Sequence, residues 1–231
     1  GQVLEVRIKS IELNYDWGYN TVRPLAGALP DDFKEMRLMH IPLDKKRNVG
    51  TLPWGLELPL KPFFGIMAVA PPERLGMVSS RPPSHWGGNV DFKRLTAGST
   101  LYLPVFNRGA QFYTGDSHAA QGDGEVNGTA IEASLTPTLQ FILHKGKGRD
   151  MVWPAAEDSE NYYTMGLDVD LDVAMKHATQ ETVDWLRRHR GLSAADAYSL
   201  ASIAVDFHVG EAVDFVQMVY GVIPKKIFRK N

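Results

Sequence analysis

Ala130-Ile131-Glu132-Ala133-Ser134-Leu135-Thr136-Pro137-Thr138-Leu139-Gln140-Phe141-Ile142-Leu143-His144 sets the fold class of this chain. Ile131, Ala133 and Leu135 alternate with Ala130, Glu132 and Ser134, the period of a half-buried strand. Thr136-Pro137-Thr138 reads as a hairpin-like break. The near-continuous apolar run 139–144 behind it predicts a strand covered on both faces. The same alternation recurs in Leu4/Val6/Ile8, in Ile11/Leu13 and in Leu101/Leu103/Val105 against Tyr102/Phe106. Prolines recur from Pro24 to Pro104 and exclude long helices there, so residues 1–145 read as mostly β.

Helical spacing takes over in a segment from about 168 to 207, with Leu171, Met175, Ala178, Val183 and Leu186 along one stripe. Gly191 is a helix stop, and Ser193 followed by Asp196 is the start of a second helix through Tyr198, Leu200 and Ile203. Strands and helices are segregated rather than alternating. The expectation is therefore one α+β domain over residues 1–231, a β-rich sandwich or barrel-like body with a C-terminal helical segment.

Its 231 residues, 44% hydrophobic and 23% charged, are ample for a buried core. Lys and Arg number 25 against 27 Asp and Glu, a net charge of -2, which argues against nucleic acid or an anionic membrane as partner. No apolar run approaches the roughly 20 residues that span a bilayer, and no targeting peptide is visible, so the expected location is cytoplasmic. With no cysteine, thiolate metal sites and thiol nucleophiles are excluded. G-x-S-x-G and S-x-x-K motifs are missing, and Gly87-Gly88 lacks the context of a phosphate loop.

Polar residues concentrate in 84–91 and 115–128. In extended chain, residues i and i+2 share a side, so Asp116 and His118 can converge, as can Asp123 and Glu125. Mixed oxygen and nitrogen donors suit zinc, manganese or iron, whereas an all-oxygen subset suits magnesium or calcium. Asp, Asn and Gly also build turns, and a plain turn does not need the five polar side chains Asp116, His118, Gln121, Asp123 and Glu125. Glu132 is either solvent-facing or a ligand reaching into a pocket. His40, His144, His177, His189 and His208 read as surface or core histidines, and Lys45-Lys46-Arg47 and Lys225-Lys226 as solvated faces.

The runs His85-Trp86-Gly87-Gly88-Asn89-Val90-Asp91, Leu95-Thr96-Ala97-Gly98-Ser99-Thr100-Leu101-Tyr102-Leu103-Pro104-Val105, 115–126 and Thr129-Ala130-Ile131-Glu132 resemble the acetamidase/formamidase family. So do Tyr163-Thr164-Met165-Gly166, 191–198 and 223–228, which together span nearly the whole chain. The resemblance implies a β-rich α+β fold, homo-oligomers, and hydrolysis of short aliphatic amides such as formamide and acetamide to ammonia and a carboxylate. It also implies a divalent metal, zinc foremost, with calcium or another divalent ion as alternatives. Family members carry a further β-rich stretch ahead of the part that aligns with Gly1. The expectation is that this chain lacks it, with a separate N-terminal polypeptide as one possible partner. The tail 213–221 departs from the pattern of relatives.

Amide hydrolysis needs an activated water, charge stabilisation at the carbonyl and an acid for the leaving amine. The assignments are Asp91, Asp116, His118 and Glu132 as metal ligands, Glu125 as proton shuttle with Asp123 able to exchange roles, and His85 as a further catalytic candidate. Asn89, Gln121 and Trp86 are the substrate-binding candidates, with Tyr102 narrowing the pocket. The rivals are a family member acting on a larger amide and a non-catalytic or cupin-like metal-binding β protein. A cupin site usually uses an H-x-H pair, and Asp116-Ser117-His118 offers one histidine.

Overall fold

The computed structural model describes residues 1–228. Its strands are β1 (Gln2–Leu13), β2 (Trp17–Val22), β3 (Arg37–Asp44), β4 (Val49–Thr51), β5 (Glu57–Pro59), β6 (Phe63–Ala68), β7 (Gly87–Asn89), β8 (Thr100–Val105), β9 (Tyr113–Ala120), β10 (Ile131–Glu132), β11 (Leu135–Lys145), β12 (Ala155–Glu157) and β13 (Asn161–Asp168). Helices α1 (Leu171–Arg190) and α2 (Ala194–Ala204) follow, and then β14 (Asp206–Glu211) and β15 (Gln217–Pro224). One sheet has the order β11-β1-β8-β12-β13-β15-β14 and the other β5-β4-β3-β2-β10-β9-β6-β7.

The two sheets face one another across a shared core. Leu4, Val6 and Ile8 of β1, Leu101 and Leu103 of β8, and Met165 of β13 pack with Phe64 and Met67 of β6 and with Phe92. Alternation put these side chains inward, because successive residues of a strand face opposite sides. The sandwich with helices near its C-terminal end agrees with the fold class read from the sequence.

Three details differ from that reading. Thr136-Pro137-Thr138 is not a break: β11 runs through it, paired in register with β1. Proline is tolerated because β11 lies at a sheet edge, where one side of the backbone has no ladder partner to lose. The run 139–144 is not covered on both faces either, and Phe141 and Leu143 remain 50% and 45% exposed. Ile11 and Leu13 belong to β1 itself, continued past a register shift between Ile8 and Ser10.

The β-rich region also extends beyond residue 145. β12 to β15 complete the first sheet, so the helices are inserted between β13 and β14 rather than closing the chain. β13 and the middle of β15 are apolar on both faces, since one faces the core and the other faces α1, and this erased the alternation. Asp170 caps α1 by accepting from the amides of Asp172 and Val173, Gly191 ends it in the left-handed region, and Ser193 caps α2. Of the stripe read from the sequence, Ala178, Val183 and Leu186 are buried, together with Ala174 and Thr182. Ala174 and Ala178 lie against Gly166 of β13, where any Cβ would collide with the helix backbone. Leu171 and Met175 are partly exposed, and Tyr198 and Ile203 are 63% and 82% exposed. Helix and strand come this close at Gly166 only through alanine and glycine. Among the described residues no helix is long and apolar enough to cross a membrane.

Candidate metal centre

The site forms where β9, β10 and three loop segments meet. β9 carries Asp116 and His118, two apart and on one side of the strand. Glu132 of β10 lies directly across from His118 in the antiparallel ladder. The last residue of β7 is Asn89 and the turn after it brings Asp91, and the loop after β9 brings Gln121 and Glu125. That loop is anchored to the end of β14, where the Gly124 amide donates to the Gly210 carbonyl at 2.8 Å. The bridge sets Glu125 beside Glu211 and, a turn further, Asp214.

His118 is fully buried at the centre. The orientation of its ring follows from its neighbours. Gln121 Nε2 donates to the Asp91 carbonyl at 3.0 Å, so the Gln121 amide oxygen is the atom facing His118 Nδ1, at 2.8 Å. A backbone carbonyl and an amide oxygen can only accept, so Nδ1 carries the proton. Nε2 then points at carboxylate oxygens: Asp116 at 3.2 Å, Glu132 at 3.4 Å and Glu125 at 3.9 Å. A nitrogen lone pair facing three carboxylates is repulsive unless something positive lies between them. Either a proton or a cation must be there.

Without a cation, protons have to supply that charge. Burial alone would lower the His118 pKa, but hydrogen bonds to Asp116 and Glu132 and the charges of Glu132 and Asp91 hold it well above the usual value. Burial first, then the charge of Glu125, raise Asp91 well above the carboxylate range. Burial pushes Glu125 up to about 8 and Glu211 up to about 7. Asp116 is lowered, because its contacts with His118 outweigh its own desolvation.

Unpartnered atoms point the same way. Asp91 Oδ1, Asn89 Oδ1 and Glu211 Oε2 are buried with no hydrogen-bond partner, and such groups are costly unless something binds them. Gly65 of β6 leaves a hollow beside Asp91 Oδ1, Asn89 Oδ1 and the Asp116 carbonyl, which a Cβ would fill. Three donor groups are tight enough for an ion: Asp91, Asp116 and His118; His118, Glu125 and Glu132; and the all-oxygen set Asp91, Glu125, Glu211 and Asp214. The side chains present therefore fit a divalent cation with mixed nitrogen and oxygen donors.

The sequence-derived candidates divide clearly. Asp91, Asp116, His118, Glu125 and Glu132 come together, with Glu132 grouped with Glu125 rather than with Asp91. Asn89 and Gln121 lie beside the cluster. Asn89 Nδ2 donates to Asp91 Oδ2 at 2.6 Å and also to Asp214 while its Oδ1 is unpartnered, and both ends of Gln121 are in use. Asp123 does not join Glu125. It accepts from Tyr220 at 3.1 Å and pairs with Lys93 at 3.0 Å, because the loop is turned by positive φ at Gly124 and Glu125 and the i, i+2 rule holds only for extended chain.

His85 stands outside the cluster, hydrogen-bonded to the Val152 carbonyl at 2.9 Å and stacked on Trp153. Trp86 packs against the core between the sheets, and Tyr102 bonds Glu157 at 2.6 Å instead of narrowing the pocket. His208, read as a background histidine, lies 3.7 Å from Asp123. Lys225 is no solvated residue but is paired with Glu157. Sequence reasoning missed Glu211 and gave Asp214 no role. Both interrupt the otherwise apolar run Val209-Gly210-Glu211-Ala212-Val213-Asp214-Phe215-Val216, and carboxylates embedded in such a run are the signal that was available.

Comparison with known proteins places this geometry. The family model of the acetamidase/formamidase family matches residues 75–230, and the chain belongs to that family. The crystal structure of an acetamidase from Bacillus halodurans superposes with a TM-score of 0.91 at 31% identity, covering 99% of this chain and 75% of that one. An acetamidase from Yersinia enterocolitica gives 0.89 at 29%, covering 99% and 71%. A formamidase of Methylophilus methylotrophus is 27% identical over 179 residues, 64% of this chain. The match takes in 41% of that formamidase's length.

Proposed function

We propose that the chain is a carboxamide hydrolase, taking amides of the formamide and acetamide kind to ammonia and a carboxylate around one divalent cation, with zinc the first expectation. The observation that carries this reading is His118 Nε2, buried and facing the oxygens of Asp116, Glu132 and Glu125. Family membership and the names of its relatives support the reaction class. Asp116, His118 and Glu132 would hold the cation at Nε2, with Asp91 a further ligand through the group it forms with Asp116 and His118. When bound, it supplies positive charge that polarises a carbonyl and acidifies a water.

The side chains account for the rest of the chemistry. Gln121 fixes the His118 tautomer, and Asn89 holds Asp91 and Asp214 in place. Glu125 takes a proton from the attacking water and returns it to the departing nitrogen. Its position suits it to both halves of that transfer, since its carboxylate lies 3.9 Å from His118 Nε2, beside the oxygens that would hold the cation. Homo-oligomeric assembly is part of this reading and is checked by light scattering against the 25.7 kDa chain mass.

The test is ammonia release from formamide and acetamide, with and without a chelator. Release is expected to stop on chelation and return with added zinc. Glu125→Gln is expected to lose at least about 10²-fold in kcat, the usual scale of a general acid-base group, while still binding metal. Full activity in that variant would remove the shuttle from the mechanism, and chelator-resistant turnover would remove the cation.

A further inference from the structure

At Glu125 the cluster borders a cavity far larger than acetamide. Glu125 and Gln121 form part of its wall, and its volume is about 1020 Å³. A water's share of liquid volume is about 30 Å³, so an amide of four heavy atoms takes on the order of 100 Å³ and leaves most of this space unused. Cavities of this size are typical for drug-sized ligands.

One wall is apolar for a structural reason, while the rest of the lining carries polar groups such as Asn20, Lys61, Arg94, Asn127 and Asp158. The β4–β5 hairpin forms the edge of the second sheet, and the Lys61 amide just after it donates to the Ala119 carbonyl at 2.9 Å, next to His118. Leu52, Trp54 and Leu58 thereby join Met39 and Ile41 of β3 and Ile131 of β10 around the space beyond Glu125. The buried ones rest on a small separate core with Ala119, Ala120 and Leu60, while Trp54 and Leu58 form an exposed rim. Lys93 and Asp123, also in the wall, neutralise each other at 3.0 Å.

We infer that this cavity takes a carboxamide bearing an extended apolar chain, of about six carbons or more, with the amide at Glu125 and the chain along Ile41, Leu52 and Leu58 toward Trp54. The inference rests on the amide-hydrolase reading for the reaction but not for the binding. A chain lying on those side chains gains the ordinary stabilisation of apolar burial, about fourfold for each methylene removed from water.

Two measurements on the metal-loaded chain test it. The first is kcat/KM for linear primary amides from acetamide to octanamide, and for N-hexylacetamide beside N-methylacetamide. A rise of about 10²-fold between butanamide and octanamide, or a comparable gain from the N-hexyl chain, is expected, and which series rises tells the side on which the chain is attached. Leu52→Trp should abolish the rise and leave acetamide turnover unchanged. Leu58→Arg, at an exposed position, serves the same end if Leu52→Trp does not fold. The second is tryptophan fluorescence on titration with octanamide, where the change should vanish in Trp54→Phe. Turnover of acetamide with a flat or falling chain-length profile overturns the inference and leaves amide hydrolysis standing. A Trp54-dependent response to octanamide with no turnover of any amide supports the cavity assignment and overturns the hydrolase reading. Neither turnover nor a response overturns both.

Discussion

Gln121→Leu removes the one side chain that fixes the ring at the centre of the cluster. Gln121 joins the Nδ1 proton of His118, at 2.8 Å, to the backbone carbonyl of Asp91, at 3.0 Å, and the next acceptor near Nδ1 is Asp91 Oδ1, at 3.5 Å. Leucine matches its volume closely, so the change is chemical rather than steric. Each buried group left unpaired costs about 1–3 kcal/mol. Cation affinity suffers more specifically, because His118 Nε2 is presented as a lone pair only while Nδ1 keeps its proton. Loss of such an outer contact lowers affinity by about 10–100-fold, which is about 1.4–2.7 kcal/mol. The assay is zinc competition against a chromophoric chelator, alongside a thermal melt of the metal-free protein. Gln121→Glu is the control: a carboxylate still accepts from Nδ1 but cannot donate to the Asp91 carbonyl, so it should recover part of the affinity and not the stability. Zinc affinity within twofold of wild type in Gln121→Leu would refute the argument that Gln121 sets the tautomer.

Two further outcomes follow from the same cluster. Gly65→Ala places a methyl group against Asp91 Oδ1 and close to Asn89 Oδ1. The chain should still fold with near-native circular dichroism but lose bound zinc in elemental analysis, and retention of full zinc occupancy would show that the hollow is not needed. In metal-free protein, Glu125 and Glu211 have folded-state pKa values of about 8 and about 7, and Asp91 is raised as well. The folded state thus holds protons that the unfolded chain releases near pH 4.5, and stability falls as pH rises from there to about 8. His118, raised above its unfolded value, loses its contribution in the same direction, and the lowered carboxylates, Asp116 in the cluster and Glu5, Asp44 and Glu57 elsewhere, oppose this at acid pH. The melting temperature in chelator should therefore drop from pH 5 to pH 9 and recover on adding zinc; a rise over that range would contradict the burial of these groups in protonated form.

Strand alternation in β1 and β8, the helix caps at Ser193 and Gly191, and the pairing of Asp116 with His118 were legible because each depends on local chain geometry. A period of two or 3.6 residues, or a side chain capping its own helix, is written within a few neighbours. The family signature was legible too, since it lies in contiguous runs. What could not be read locally was environment. β11 continues through Pro137 because it is an edge strand, and β13 and β15 lose their alternation because a helix covers their second face; edge and centre are properties of the assembled sheet. Glu125 and Asp123 sit two residues apart in one loop, yet one is driven into the cluster and the other is neutralised by Tyr220 and Lys93, because positive φ at Gly124 and Glu125 turns the chain between them. Glu211 and Asp214 join from almost a hundred residues away, through a bridge between Gly124 and Glu211 that no spacing rule anticipates. The sequence by itself determined the class of fold, the donor types and the family. Tertiary structure alone decided which carboxylates are buried together. Burial is set by contacts between distant segments, and burial is what turns an ordinary acidic side chain into one that must hold either a proton or a cation.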